Sequence, residues 1–166
     1  TTEDLIFGIK NIKNNQLIFY DTPGISFDKN FFFNKKKLKK NLWEGLNNSN
    51  LILYIIDSYR FNFDETLINL IKLQELQKKI CIVLNKNDLI KKDKLLPQLS
   101  KIQNQINIDS FFNISAKKKL GIDQIFQYLL KNTYYSDWEF NNDEITDKND
   151  IFITNECTRN AILTQL

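Results

Sequence analysis
The chain has 166 residues, 42% of them hydrophobic, with 23 basic side chains against 20 acidic ones, a net charge of +3 and no histidine. That is enough for one domain with its own core, and the small basic excess is no electrostatic footprint for nucleic acid. The longest apolar run, LILYII, is too short to cross a bilayer as a helix, and two distant cysteines without histidine make neither a metal cluster nor a disulfide framework.

In chain order, DLIFGIKNIKNNQLIFY predicts two strands around Asn14-Asn15, with Leu17 and Phe19 alternating in the second. A turn, DTPG (Asp21 to Gly24), follows. NKKKLKKNLWEGLNN then sets Leu38, Leu42 and Leu46 along a narrow helical stripe, and its lysine run reads as a solvated helix face. LILYIID is a continuous apolar run of the kind buried on both faces in a parallel sheet. DETLINLIKLQEL predicts a helix opening on an acidic N-cap, Asp64. ICIVLNKND runs from strand into loop, and KLLPQLSKIQNQI returns to the helical period through Leu95, Leu99, Ile102 and Ile106. FFNISA is a last short strand, and GIDQIFQYLL a helix burying Ile122, Ile125, Phe126 and Leu129.

Buried strands alternating with amphipathic helices predict an α/β open sheet. It should be mostly parallel, with one antiparallel edge hairpin, right-handed crossovers and helices on both faces. Residues 1–131 form this domain, 132–150 read as a polar connector, and 151–166 as a final helix with Phe152, Glu156, Arg159 and Leu163 at helical spacing. In such sheets ligands bind beyond the carboxyl ends of the strands. Each strand end here carries a polar motif: DTPG, NKND (Asn85 to Asp88) and SAK (Ser115 to Lys117).

These motifs differ in weight. In a chain so rich in Asn and Lys, Asn-Lys-x-Asp arises by chance with a probability of roughly one in five. DTPG does not: with 4 glycines and 2 prolines in the chain, the same product of frequencies gives roughly two in ten thousand. A plain Pro-Gly turn is therefore a poor account of it.

The chemistry fits one ligand. The Asp88 carboxylate can accept from both N1–H and N2–H₂ of guanine, a donor pair that adenine lacks on that edge. Asn85 would tie neighbouring loops together, and the aliphatic stem of Lys86 can lie flat on the purine. A backbone N–H in Ser115-Ala116 can donate to guanine O6. At the other end Asp21 is placed to bind Mg²⁺ through water, and the Gly24 N–H is available to a γ-phosphate, which only glycine lets approach so closely. A hydroxyl from Thr1 or Thr2 could complete the Mg²⁺ shell.

DTPG, NKND and SAK resemble the third, fourth and fifth guanine-nucleotide motifs of translation-factor-class GTPases, and TTED at Thr1 to Asp4 resembles the second. Within that class the whole chain, Thr1 to Leu166, is similar to the Era family. DTPGI is that family's form of the third motif, and a Thr-Thr pair followed by a β-hairpin resembles its switch I. ITDKNDIFITNECTRN resembles the segment that joins its GTPase domain to an RNA-binding KH domain, with Thr146, Asp147, Phe152, Glu156 and Arg159 in place. Glu3 stands where the family usually has arginine, and Asn160 where it usually has glutamate.

The resemblance implies a P-loop NTPase-like fold whose first strand and phosphate loop lie upstream of Thr1, and a KH domain beyond Leu166. The pattern G-x-x-x-x-G-K-[ST] indeed starts at none of Gly8, Gly24, Gly45 and Gly121. It further implies GTP/GDP and Mg²⁺ as cofactors. The nucleotide would be held by Asp21, Thr22, Pro23, Gly24, Ile25, Asn85, Lys86, Asp88, Ser115, Ala116 and Lys117. Thr2 and Asp21 would serve the metal, and Thr2 and Gly24 catalysis. Ile25 occupies the position where Ras-like enzymes orient water with glutamine, so turnover should be slow. The implied role is maturation of the small ribosomal subunit, with its rRNA as partner through the KH domain. Peripheral membrane association is part of the resemblance. The Asn-, Lys- and Ile-rich composition, with Arg60 and Arg159 as its arginines, reads as coding bias of an AT-rich genome. The expected compartment is a reducing one: the bacterial cytoplasm, at or near the inner membrane, or a mitochondrion or plastid. Two alternatives stand beside this reading. One is a degenerate, nucleotide-free interaction module. The other is a related GTPase acting on tRNA or the large ribosomal subunit.

Overall fold
A computed structural model describes residues 6–22, 36–90, 96–148, 151–155 and 158. The expectations for Thr1, Thr2, Glu3, Pro23, Gly24, Ile25, Leu95, Glu156, Arg159, Asn160 and Leu163 lie outside the described residues.

Strands β1 (Ile6–Ile12) and β2 (Asn15–Asp21) form an antiparallel hairpin, with Ile12 opposite Asn15. The turn is therefore Lys13-Asn14, one residue earlier than predicted. Lys13 takes the positive φ (52°) that tight hairpin turns require. Helix α1 (Lys36–Asn48) leads to β3 (Leu51–Asp57), α2 (Phe63–Gln74), β4 (Lys79–Asn85), α3 (Leu96–Gln103), β5 (Ser110–Asn113) and α4 (Ile122–Lys131). Strands β3, β4 and β5 pair in parallel, in that order. The predicted α/β architecture is thus present, as a parallel sheet plus an antiparallel hairpin.

β4 is the centre of the core. Ile80, Ile82 and Leu84 point to one face, among Leu42 and Leu46 of α1, Leu70 and Leu73 of α2 and Ile102 of α3. Cys81 and Val83 point to the other, against Phe112, Ile114 and Ile125 of α4. Each such side chain, fully buried, stabilises the fold by about 1.5–3 kcal/mol.

β3 departs from expectation. Its apolar run predicts burial on both faces, yet Ile55 is 64% exposed. The reason is topological: β2 and β3 belong to separate sheets. Between them lies a cleft of about 910 Å³ lined by Leu17, Phe19, Leu51, Leu53, Ile55 and Leu129, among others. α2 also starts earlier than predicted. Its N-cap is Asn62, whose Oδ1 accepts the Glu65 N–H at 3.1 Å, while Asp64 and Glu65 fall in the first turn, where their charge favours the helix dipole.

The C-terminus of α1 is closed from outside the helix. The Lys78 ammonium donates to the carbonyls of Leu46 (2.6 Å), Asn47 (2.6 Å) and Ser49 (2.5 Å). A cation among terminal carbonyls satisfies orphan acceptors and opposes the helix dipole. Lys78→Met, which keeps most of the stem, should lower the unfolding free energy by about 1–2 kcal/mol. An unchanged urea midpoint would rule this cap out.

The polar segment after α4 runs along the hairpin. The Ile9 N–H donates to Ile145 O (2.9 Å) and the Phe7 N–H to Asp147 Oδ1 (3.1 Å). Gln16 grips the same segment: its Oε1 accepts from the amides of Glu139 and Phe140 at 3.0 Å each, and its Nε2 donates to Phe140 O at 2.9 Å. Residues 151–155 are helical beyond it.

Candidate functional site
Parallel pairing brings the carboxyl ends of β3, β4 and β5 to one edge, with Asp57 opposite Asn85 and Leu84 opposite Asn113. The loops that leave this edge are bonded to one another. The Ile114 N–H donates to Leu84 O at 2.8 Å and the Asn87 N–H to Ile114 O at 3.1 Å. Asn85 Oδ1 accepts from its neighbour Lys86 N–H (2.8 Å) and, across the loops, from the Ala116 N–H (2.9 Å). A single side-chain oxygen thus ties the NKND loop to the SAK loop.

Lys86 adopts a left-handed backbone, φ 62°. That conformation is unfavourable for a side chain with a Cβ and holds only where neighbours fix it. Here Asn85 takes the Lys86 N–H and the Leu89 N–H donates to Lys86 O at 3.0 Å. The Lys86 ammonium reaches Asp57 Oδ2 at 2.7 Å. Asp88 follows in a 3-10 turn (Asn87–Leu89). The Ser115 hydroxyl, on a fully buried residue, donates to Asp88 and holds its carboxyl below the usual carboxylate range, with weaker help from the Lys118 ammonium at 3.5 Å. Ser115 Oγ in turn accepts the Lys118 N–H at 3.3 Å.

The donor expected for guanine O6 has partners of its own in this structure. The backbone amides of Ser115 and Ala116 were to offer a donor to guanine O6. Both are engaged within the protein: Ser115 N–H with Leu120 O (3.1 Å), Ala116 N–H with Asn85 Oδ1. The short bridge between Ser115 and Leu120, which closes the 115–120 turn on itself, takes the Ser115 amide. Lys117 is exposed on that turn.

The structure therefore brings together Asn85, Lys86, Asp88, Ser115 and Ala116, and adds Asp57, which the motifs did not single out. Asp57 had a signal of its own: it is the acidic residue at the carboxyl end of an apolar run, as Asp21 is. Asp21 and Thr22 sit apart from this cluster, at the end of the hairpin. The Asp21 side chain is exposed and has no hydrogen bond or ion pair among the described residues, which leaves its oxygens available to a hydrated Mg²⁺. Pro23, Gly24, Ile25 and Thr2 complete that end of the expected set outside the described residues.

A family model described as ferrous iron transport protein B matches residues 1–129. GTPase Era of Rickettsia conorii is 34% identical over 168 residues, covering 100% of this chain and 48% of that protein. The chain belongs to the family that this model describes, and over its whole length it is Era-like. Solved structures agree. Era in complex with MgGDPNP and nucleotides 1506–1542 of 16S ribosomal RNA superposes with a TM-score of 0.75 at 30% identity, over 90% of this chain and 51% of that one. An Aquifex aeolicus Era variant bound to GDP and AlF₄⁻ gives 0.76 at 28% identity, over 89% and 50%. This Era-like chain spans about half the length of the curated relatives it matches. Among the described residues no helix is long and apolar enough to cross a membrane.

Proposed function
We propose that this chain is the core of the G domain of an Era-like GTPase, which binds guanine nucleotide with Mg²⁺, hydrolyses GTP slowly and serves maturation of the small ribosomal subunit. The observation that carries the reading is the convergence of Asn85, Lys86, Asp88 and Ser115 on one sheet edge, where Asn85 ties the two loops, Ser115 holds the Asp88 carboxyl below the usual carboxylate range and the Lys86 ammonium is anchored on Asp57. Residues 1–131 make the G domain, 132–150 the connector and 151–166 the link toward an RNA-binding domain. The rRNA role draws its support from the Era neighbour that holds 16S rRNA nucleotides. Asp21 and Thr2 serve the metal, which when bound neutralises phosphate charge. The bacterial cytoplasm is the proposed compartment.

Among the described residues β2 and β3 each pair on one side, and the first strand implied by the resemblance would pair across the cleft between them, bringing its phosphate loop toward Asp21. Titration of a fluorescent GDP analogue tests the reading in two forms of the protein. The full-length protein should bind it tightly. Residues 1–166 alone should not, because the phosphate-cradling nest supplies much of the affinity. Failure of the full-length protein to bind would overturn the GTPase reading in favour of an interaction module, and submicromolar binding by residues 1–166 alone would overturn the division of labour.

A further inference from the structure
Asp57 divides its carboxylate between two tasks. Oδ1 accepts the Tyr59 N–H at 3.0 Å and caps the 3-10 turn Ser58–Arg60. Oδ2 takes the Lys86 ammonium at 2.7 Å. The strand register fixes this meeting, because Asp57 and Asn85 are paired across β3 and β4 and Lys86 is the next residue. With its backbone locked in the left-handed region and its tip held on Asp57, Lys86 is pinned at both ends, so its four-carbon stem spans the gap between two loops. The lysine bond holds the Asp57 carboxyl below the usual carboxylate range.

As a stabilising contact the pair is poor. The side chains of Lys86 and Asp57 are 49% and 29% exposed, and such pairs barely repay the rotamer freedom they remove. As a positioning device it is well made, because a stem ordered before the ligand arrives need not be ordered on binding. We propose that Asp57 is a positioning residue of the guanine site, holding the Lys86 stem as a preformed platform for the purine ring. The proposal rests on the GTP-binding reading above.

The test is a double-mutant cycle in the full-length protein, with the dissociation constant for GDP measured in wild type, Asp57→Asn, Lys86→Met and the double variant. The carboxamide that replaces the carboxylate keeps one oxygen to cap the turn, so Asp57→Asn removes the charge with little else. It should weaken GDP about three- to fivefold, with the melting temperature and the preference for GDP over XDP unchanged. In the Lys86→Met background the same change should have no further effect. Wild-type affinity in Asp57→Asn, or losses that multiply in the double variant, would overturn the positioning role and leave the GTPase reading intact. A lowered melting temperature that persists in the Lys86→Met background would assign Asp57 to the fold and overturn the role as well. If the wild type itself binds no GDP, both readings fall together.

Discussion

Asp88→Asn in the full-length protein should weaken GTP roughly tenfold to a hundredfold and move preference toward xanthosine nucleotides. In the proposed site the carboxylate would accept two hydrogen bonds from the guanine edge. An asparagine there offers one acceptor and one donor, and xanthine, with a carbonyl in place of the amino group, matches that pair. The swap is informative because Asp88 is oriented from behind: Ser115, fully buried, donates to it, and the loop beneath is tied by Asn85. The same bond sets the pH behaviour. A carboxyl whose folded pKa lies below its unfolded value contributes its stability above the unfolded pKa and loses it as pH falls through the folded one. Base reading by Asp88 should therefore persist through neutral and mildly acidic pH and fail only below the ordinary carboxylate range. Displacement of a fluorescent GDP analogue by GTP and by XTP measures the preference. Unchanged selectivity would remove Asp88 from base recognition.

Gly121→Ala should lower the unfolding free energy by about 2–4 kcal/mol. Gly121 sits at φ 76° immediately before α4, where a side chain is strained whatever the space. Space is lacking too. An added Cβ would lie 2.6 Å from Asn113 O and 3.1 Å from Ile114 Cγ2, and a backbone oxygen at the end of β5 cannot swing aside as a side chain would. The strain would fall on the segment that sets Ser115 under Asp88, so nucleotide affinity should decline with stability. Urea unfolding at constant m measures the first effect. A loss under about 0.5 kcal/mol would mean the turn gives way easily.

These two sites also mark where sequence reasoning succeeded and where it ran short. β4 was legible because ICIVL is buried on both faces, and motif residues at strand ends fall where parallel pairing collects them. LILYIID looks the same in sequence, but burial of Ile55 depends on a neighbour beside β3, which no residue of the run can report. Asn62 and Asp64 are both eligible caps two positions apart, and the backbone angle that chooses between them is not written in either side chain. The amides of Ser115 and Ala116 were assigned to a ligand because a motif names residues and leaves their hydrogen bonds open. In this structure the bridge to Leu120 and the bond to Asn85 occupy them. Asp57 was read as the end of a strand, since its partner Lys86 lies 29 residues away.

The contact between Gln16 and Phe140 joins residues 124 apart, and that between Phe7 and Asp147 residues 140 apart. As the chain is synthesised, the outer edge of β1 is therefore completed long before the strip that covers it exists. Closing so long a loop adds little entropic cost over a shorter one, but it cannot happen early. For that interval the hairpin offers an uncovered strand edge, the feature most prone to pair with another chain. The late-made connector acts on the nascent protein as a seal, and a chain broken off ahead of Asn141 would keep its adhesive edge for good.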